Sequence, residues 1–169
     1  SWEEGFRWQM TPETVALIPA PLYHNAGFGM MLAALTTGAH LVLMPRFDPE
    51  QTLAHIKRYG VTWIYLVPTM MNRIWQAGPE LRQRYDVSSL TTLWHLAAPC
   101  PAWLKEAFIN WVGADTILEM YAGTESQATT VITGAEWLEH RGSVGRVSAG
   151  EMQAFDDSGQ PVPPGQIAE

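Results

Sequence analysis

The stretch HLVLMPRFDPEQTLAHIKRYGVTWIYLVP, residues 40–68, decides the fold. It opens on an apolar run, His40 to Met44. Asp48 then supplies a helix N-cap, Pro49 suits the first helical position, and Glu50 lies in the first turn, where the helix dipole favours an acid. Leu53, Ile56 and Lys57 follow at helical spacing, and Gly60 ends the helix. Val61 to Val67 is β-branched and aromatic without a charge, which predicts a strand buried on both faces. Strand, helix and strand joined by short links make a βαβ unit, so the two strands run parallel.

Outward from this unit the alternation continues. Upstream, Thr14 to Ala20 reads as a buried strand, and Asn25 to Thr37 as a helix closed by Gly38. Downstream, Pro68 and Thr69 open a helix through Trp75 that ends near Gly78-Pro79. Thr91 to Ala97 is a strand. Pro101 starts a helix carrying Trp103, Leu104, Ala107, Phe108 and Trp111, and Thr116 to Tyr121 is a further strand. The expected fold class is α/β: a mainly parallel sheet covered by helices on both faces. After about Gly134 the pattern changes. Short runs at Ser143–Val147 and Glu151–Phe155 are punctuated by glycines, and Asp156-Asp157-Ser158-Gly159 is a turn signal. This predicts the start of a small antiparallel β unit at the C-terminal end, with an organisational boundary between residues 1–134 and 135–169.

Composition narrows the function. Eight Trp, five Tyr and five Phe in 169 residues exclude disorder. Ten basic against 17 acidic residues give a charge of −7, so there is no basic footprint and nucleic acid is not an expected partner. The single cysteine, Cys100, excludes an internal disulfide framework and a Cys-rich zinc site, and reads as a small packed residue. Thr14 to Pro45 carries no Asp, Glu, Lys or Arg, and Ala26 to Met44 nearly reaches membrane-spanning length. The Thr36-Thr37-Gly38 break followed by His40–Met44 reads instead as helix, turn and buried strand, without a transmembrane segment. Ser1-Trp2-Glu3-Glu4 has neither an initiator Met nor a signal-peptide pattern. The expected location is cytoplasmic.

Several sites fail on spacing. No GxxxxGK[ST] loop occurs, Gly27-Phe28-Gly29 leads to Leu32 where a dinucleotide fingerprint needs a small residue, and the histidines are scattered singly. What remains lies at the carboxyl ends of the predicted strands, where open α/β sheets bind ligands. These are Tyr23-His24-Asn25, Pro68-Thr69, Ala97-Ala98-Pro99 and Tyr121-Ala122-Gly123-Thr124-Glu125-Ser126. An aromatic face, small residues, a hydroxyl and a carboxylate within five positions can stack a base, admit a phosphate and hold Mg²⁺. Taken singly, His24 reads equally as a capping or core histidine, Tyr121 as a core aromatic, and Thr124-Glu125 as a polar turn. Met30-Met31 and Met70-Met71 read as core filler or as the flexible wall of an apolar pocket.

Together these segments resemble a known family. Tyr121-Ala122-Gly123-Thr124-Glu125 resembles the YGxTE motif of the adenylate-forming enzymes, which include acyl-CoA synthetases, luciferases and peptide-synthetase adenylation domains. Pro21-Leu22-Tyr23-His24 resembles their PLFH segment, and Asp48-Pro49-Glu50 through Val67-Pro68-Thr69-Met70 their FDPE…VPTM stretch. Ala97-Ala98-Pro99 resembles the GAAP adenine loop, Gly142–Arg146 the GSVGRP segment, and Gly165–Glu169 the start of the next motif. They occur in family order over nearly the whole chain.

The resemblance implies an acid–CoA ligase that uses ATP, Mg²⁺ and CoA. By it, Ala97, Ala98, Pro99, Tyr121, Ala122 and Thr124 bind the nucleotide, and Thr124 and Glu125 are catalytic, with Glu125 on Mg²⁺. His24, Asn25, Gly27, Thr69 and Gly123 border the acid pocket. Two positions depart from the pattern: Ala122 replaces a glycine, and Leu96 stands where the adenine loop begins with glycine. The family's phosphate loop, ribose-binding Asp and catalytic Lys have no counterpart in these residues. The chain is therefore expected to be a central piece of a longer enzyme: residues 1–134 the middle of the large α/β domain, residues 135–169 a connection and the start of a β-barrel-like subdomain. Alone it is expected to be inactive and able to self-associate.

Trp94 to Pro101 and Glu136 to Gly142 lean toward the fatty-acyl or steroid and bile-acid branch. Gly27, Gly29, Met30 and Met31 suggest a roomy pocket for a bulky acid. The alternatives are an adenylation domain feeding a carrier protein and a non-catalytic α/β binding module.

Overall fold

The computed structural model describes residues 8–125 and 127–163. Ser126 and the Gly165–Glu169 segment of the family resemblance lie outside the described residues. One seven-stranded sheet organises the molecule, in the order β2-β1-β3-β4-β5-β6-β7. The strands are β1 (Val15–Ile18), β2 (His40–Leu43), β3 (Trp63–Leu66), β4 (Thr92–His95), β5 (Ile117–Ala122), β6 (Ala128–Thr133) and β7 (Arg146–Gly150). The first five pair in parallel and the last two antiparallel.

The βαβ reading of residues 40–68 holds, with α2 (Pro49–Tyr59) between β2 and β3. Asp48 Oδ1 accepts from the Gln51 backbone N–H at 2.9 Å, and Gly60 closes the helix in the left-handed region (φ 60°). The uncharged stretch folds as α1 (Asn25–Thr37), Gly38 in the left-handed region, then β2. No helix among the described residues is long and apolar enough to cross a membrane. One reading needs correction. β2 is not a buried strand but lies at the sheet edge, half exposed, with Leu43 open to solvent.

Further helices are α3 (Pro68–Gln76), α4 (Pro79–Arg84), α5 (Ala102–Val112) and α6 (Gly134–Glu139). The sheet separates two apolar layers. Leu17, Ile64, Leu66, Leu93 and Ile117 face one side and pack with Leu53, Ile56, Ile74, Phe108 and Trp137. Ala16, Ile18, Trp63, Tyr65, Trp94, Leu96 and Leu118 face the other and pack with Met10, Met30, Ala33 and Ala34. This is the period-two alternation of strands buried on both faces.

The antiparallel part begins earlier than the sequence suggested, at β6 rather than after Gly134, and continues the same sheet. Thr133 caps α6 in a reciprocal capping box with Glu136. The Gly142–Arg146 segment docks on β6. Thr130 Oγ1 donates to the Val144 carbonyl at 2.6 Å, and a side chain on Gly145 (φ 92°) would collide with the Val131 carbonyl. Only β7 forms from the expected short strands. Glu151–Phe155 contributes a single bridge, Phe155 to Pro161, around the Asp156–Gly159 turn.

Candidate functional site

Parallel strands place all their carboxyl ends on one edge, and the loops after β1, β3, β4 and β5 enclose a cleft of about 750 Å³ there. Its wall is mostly apolar: Trp8, Val67, Met70, Leu96 and Met120, with Ala20, Ala26 and Gly29 from the β1–α1 side. Polar groups come from His24 and Asn25 at the start of α1, Tyr65 on β3, and Gly123-Thr124 after β5.

The expected site residues divide into groups. His24, Asn25, Ala97, Ala122, Gly123 and Thr124 all line the cleft. His24 occupies the N-cap position of α1 but makes no side-chain cap. Its exposed ring stands 4.7 Å from that of Tyr23 and is neither a cap nor core. Tyr121 is 55% exposed, which excludes the core-aromatic reading. By strand alternation Met120 and Ala122 turn to the cleft while Tyr121 turns away with Glu119, onto the side of the sheet that carries α5. Ala98 and Pro99 are exposed and do not line the cleft. Nor does Thr69, exposed in the first turn of α3. Gly27 is buried beneath the cleft: a Cβ there would stand 3.0 Å from the Pro21 carbonyl oxygen and 3.3 Å from Tyr65 Oη.

Glu125 is exposed just past the rim. A Cβ on Gly123 would lie 3.4 Å from Glu125 Oε2 and 2.5 Å from Gln127 Oε1, so the bare glycine lets both side chains fold over it. Among the described residues no three His, Cys, Asp or Glu converge to hold a metal. A lone exposed carboxylate suits an ion such as Mg²⁺, which takes one or two carboxylates and completes its shell with phosphate oxygens and water.

Neither departure from the motif distorts the backbone at Ala122, which continues β5 without a positive φ. Strain appears instead at Ala97, whose φ is 75°, a left-handed conformation that a non-glycine residue holds only when its surroundings fix it. Those surroundings are unusual. His95, directly before the loop, is completely buried, and both ring nitrogens lack a hydrogen-bond partner. Lys105 on α5 is buried too, donates a short hydrogen bond to Glu119 on β5, and stands 4.8 Å over the Trp137 ring.

Burial, seconded by the Lys105 charge, holds His95 near pKa 3 and therefore neutral. Burial also lowers Lys105, against the opposing pull of Glu119. The Cys100 thiol is pushed up to about 11 by burial and by Glu119, so it is no nucleophile at neutral pH. The α5–β5 tie thus lies close enough to His95 and Cys100, at the two ends of this loop, to act on both electrostatically.

Sequence reasoning missed Trp8 and Tyr65 as cleft residues. Tyr65 had a signal: two positions after Trp63, it is the one hydroxyl in an otherwise apolar face of β3.

An open α/β sheet with a cleft at the carboxyl edge, and a small-residue turn carrying Thr124 and Glu125 at the rim, is the arrangement in which sheets of this class bind ligands. The chain belongs to the AMP-binding enzyme family, which it matches over residues 1–169. It is 34% identical over 160 residues to 4-coumarate--CoA ligase-like 9 of Arabidopsis thaliana, covering 93% of this chain and 28% of that protein. It is 36% identical over 157 residues to the feruloyl-CoA synthase of an Amycolatopsis species, covering 91% and 31%. Among solved structures it resembles the amide bond synthetase McbA of Marinactinospora thermotolerans, with a TM-score of 0.83, 27% identity, and 99% and 34% coverage. The chain spans about a third of the length of these relatives.

Proposed function

We propose that this chain forms the acid-binding wall and part of the nucleotide site of an ATP-dependent acid–CoA ligase. The enzyme joins a carboxylic acid to AMP with release of pyrophosphate, then passes the acyl group to CoA. The observation that carries the reading is the meeting of an apolar cleft with the Gly123-Thr124 turn. An acid's hydrocarbon body suits Met70, Met120 and Leu96, while its carboxylate belongs at the polar lip near His24 and Thr124.

The exposed Tyr121 face, with Ala98 and Pro99, supports a place for the adenine on the other side of β5. The two sites then join across residues 122–125. Attack of the carboxylate on the α-phosphorus breaks the bond to pyrophosphate and adds charge to the α-phosphoryl oxygens. Thr124 Oγ1 donates a hydrogen bond to that charge, and preorganised donors are worth most where charge develops. Glu125 would hold Mg²⁺, which supplies electrostatic neutralisation of the phosphates when bound.

The acyl acceptor is the least constrained part. The relatives are named for coumarate and a feruloyl group on CoA, whereas the similar solved structure makes amides. Adenylation is the step common to these readings. The chain's resemblance to fatty-acyl and bile-acid ligases and its kinship to enzymes named for aryl acids share one requirement, a bulky apolar acid. Residues 1–134 belong in this reading to the large α/β domain, and 135–169 lead into a β-barrel-like subdomain.

The test uses the full-length protein with ATP, Mg²⁺ and a panel of apolar acids, with products read by mass spectrometry. With CoA present, AMP and the acyl thioester accumulate. Without CoA, the acyl-adenylate stays on the enzyme. A thioester that requires a carrier protein, or an amide from an added amine, would reassign the acceptor. No acid-dependent AMP would leave only a binding module.

A further inference from the structure

A buried charge cluster sits at the two ends of the 96–101 loop. Glu119 Oε2 accepts a short hydrogen bond from Lys105 Nζ, and the Lys105 side chain is 1% exposed. The same carboxylate oxygen stands 3.8 Å from His95 Nε2, and neither His95 ring nitrogen has a hydrogen-bond partner. Cys100 lies within electrostatic reach of both Glu119 and Lys105. His95 closes β4 before the loop, and Cys100 leads into α5 after it. Lys105 Nζ also stands 4.8 Å from the centre of the Trp137 ring on α6, and its neighbour Glu106 pairs with Arg141 just after that helix.

Stability does not explain the lysine, because a well-packed apolar pair often holds two elements as well as a buried ion pair does. A charge-assisted hydrogen bond has a direction that an apolar contact lacks, so it fixes α5 against β5 in one register. That register matters to the loop. α5 begins at Ala102, directly after Pro101, so the seat of the helix sets where the loop must end. Inside the loop Ala97 holds a φ of 75°, which a non-glycine residue keeps only where its surroundings over-determine it. Glu119 and Tyr121 turn to the same side of β5 by strand alternation, which places the tie beside the exposed Tyr121.

Resting on the nucleotide half of the reading above, we propose that Lys105 is a positioning residue: through Glu119 it sets the 96–101 loop and the Tyr121 side of β5, and so governs nucleotide affinity. It does not line the acid cleft. Its loss should therefore be felt by the nucleotide and not by the acid.

The experiment uses the full-length protein and three forms: wild type, Lys105→Met, and Lys105→Met with Glu119→Leu. The double variant removes the buried charge that would otherwise unsettle the fold. The single variant keeps Glu119 in place, so a loss common to both is not a lost contact from Glu119 itself. AMP binding is measured by calorimetry, amide hydrogen exchange by mass spectrometry on peptides covering 96–101, and KM for ATP and for the acid by pyrophosphate release. In both variants the Kd for AMP and the KM for ATP should rise roughly tenfold, the scale of one lost hydrogen bond, while KM for the acid stays unchanged. Exchange at 96–101 should quicken in the double variant even where its melt matches wild type.

An unchanged Kd for AMP in either folded variant overturns the proposal. So does an equal rise in KM for ATP and for the acid, which would make the tie a general packing feature, and so does unchanged exchange at 96–101. If the wild type binds no AMP, the nucleotide reading of the site fails, while faster exchange at 96–101 in the double variant still leaves Lys105 as the anchor of the loop.

Discussion

At the residue scale, the chemistry divides between exposed groups that can meet substrate and buried ones that hold them in place. Glu125 is exposed and makes no contact on which the fold depends, so Glu125→Gln should leave stability unchanged while adenylation falls on the order of 10²- to 10³-fold. Pyrophosphate release with saturating acid, beside a thermal melt, checks both halves. His95 gives a pH prediction. Its folded pKa, about 3, lies below the ordinary 6.5, so the unfolded chain binds the extra proton between those values. Stability is full above pH 6.5 and is lost as pH falls toward 3. At pH 5 the loss is about 2 kcal/mol at roughly 1.4 kcal/mol per pH unit. Urea melts of the full-length protein at pH 7 and pH 5 should show that gap shrinking in His95→Gln. An equal gap in both proteins would exclude His95 as its source.

Residue-level legibility was uneven for a physical reason. That Thr124 would lie at the cleft was readable because motif and strand end coincide. That Tyr65 would line the cleft was not, because its place there depends on how distant segments pack against β3, which no local pattern records.

At the element scale, α5 and β5 act as a clamp. Their tie, Lys105 to Glu119, joins two buried charges, one on the helix that follows the 96–101 loop and one on the next strand, and Ala97 in that loop is strained. Lys105→Met leaves Glu119, 9% exposed, as an uncompensated buried charge and should cost about 3–5 kcal/mol. The double change Lys105→Met with Glu119→Leu should recover most of that loss, because well-packed apolar pairs often match a buried ion pair. Chemical denaturation of both variants tests this, and a double variant as unstable as the single would contradict the clamp.

The parallel elements were legible in advance because their signals are local: Asp48-Pro49 starts α2, Gly38 ends α1, and β3 is one apolar run. Three features were not. The polar, short α4 carries no apolar period. β6 (ATTVIT) is threonine-rich and lacks the continuous apolar run of the parallel strands. The edge position of β2 depends on strand order, which its sequence does not state.

At the scale of the whole molecule, the exposed apolar residues have a pattern. Leu22 and Tyr23 precede α1, Phe28, Leu32 and Leu35 lie along it, and Leu43 opens on the adjoining edge strand. Such a patch calls for cover. With two thirds of each relative lying beyond the matched segment, the isolated chain should self-associate while the full-length protein does not do so through this face. Sedimentation of the two side by side decides it, and a monodisperse monomeric chain at high concentration would count against a covered face. That the first five strands run parallel in one sheet was readable from alternation alone. That the antiparallel strands extend the same sheet was not, because hairpin and separate-subdomain readings share the same glycine-rich sequence.

The central claim is that this cleft brings a carboxylate to the α-phosphate of ATP, and isotope exchange between pyrophosphate and ATP tests it most directly. In the full-length protein, labelled pyrophosphate should enter ATP only when the acid is present, without any need for CoA, and the rate should collapse in Glu125→Gln. Exchange that proceeds without acid, or no exchange with any acid while ATP still binds, would contradict the account.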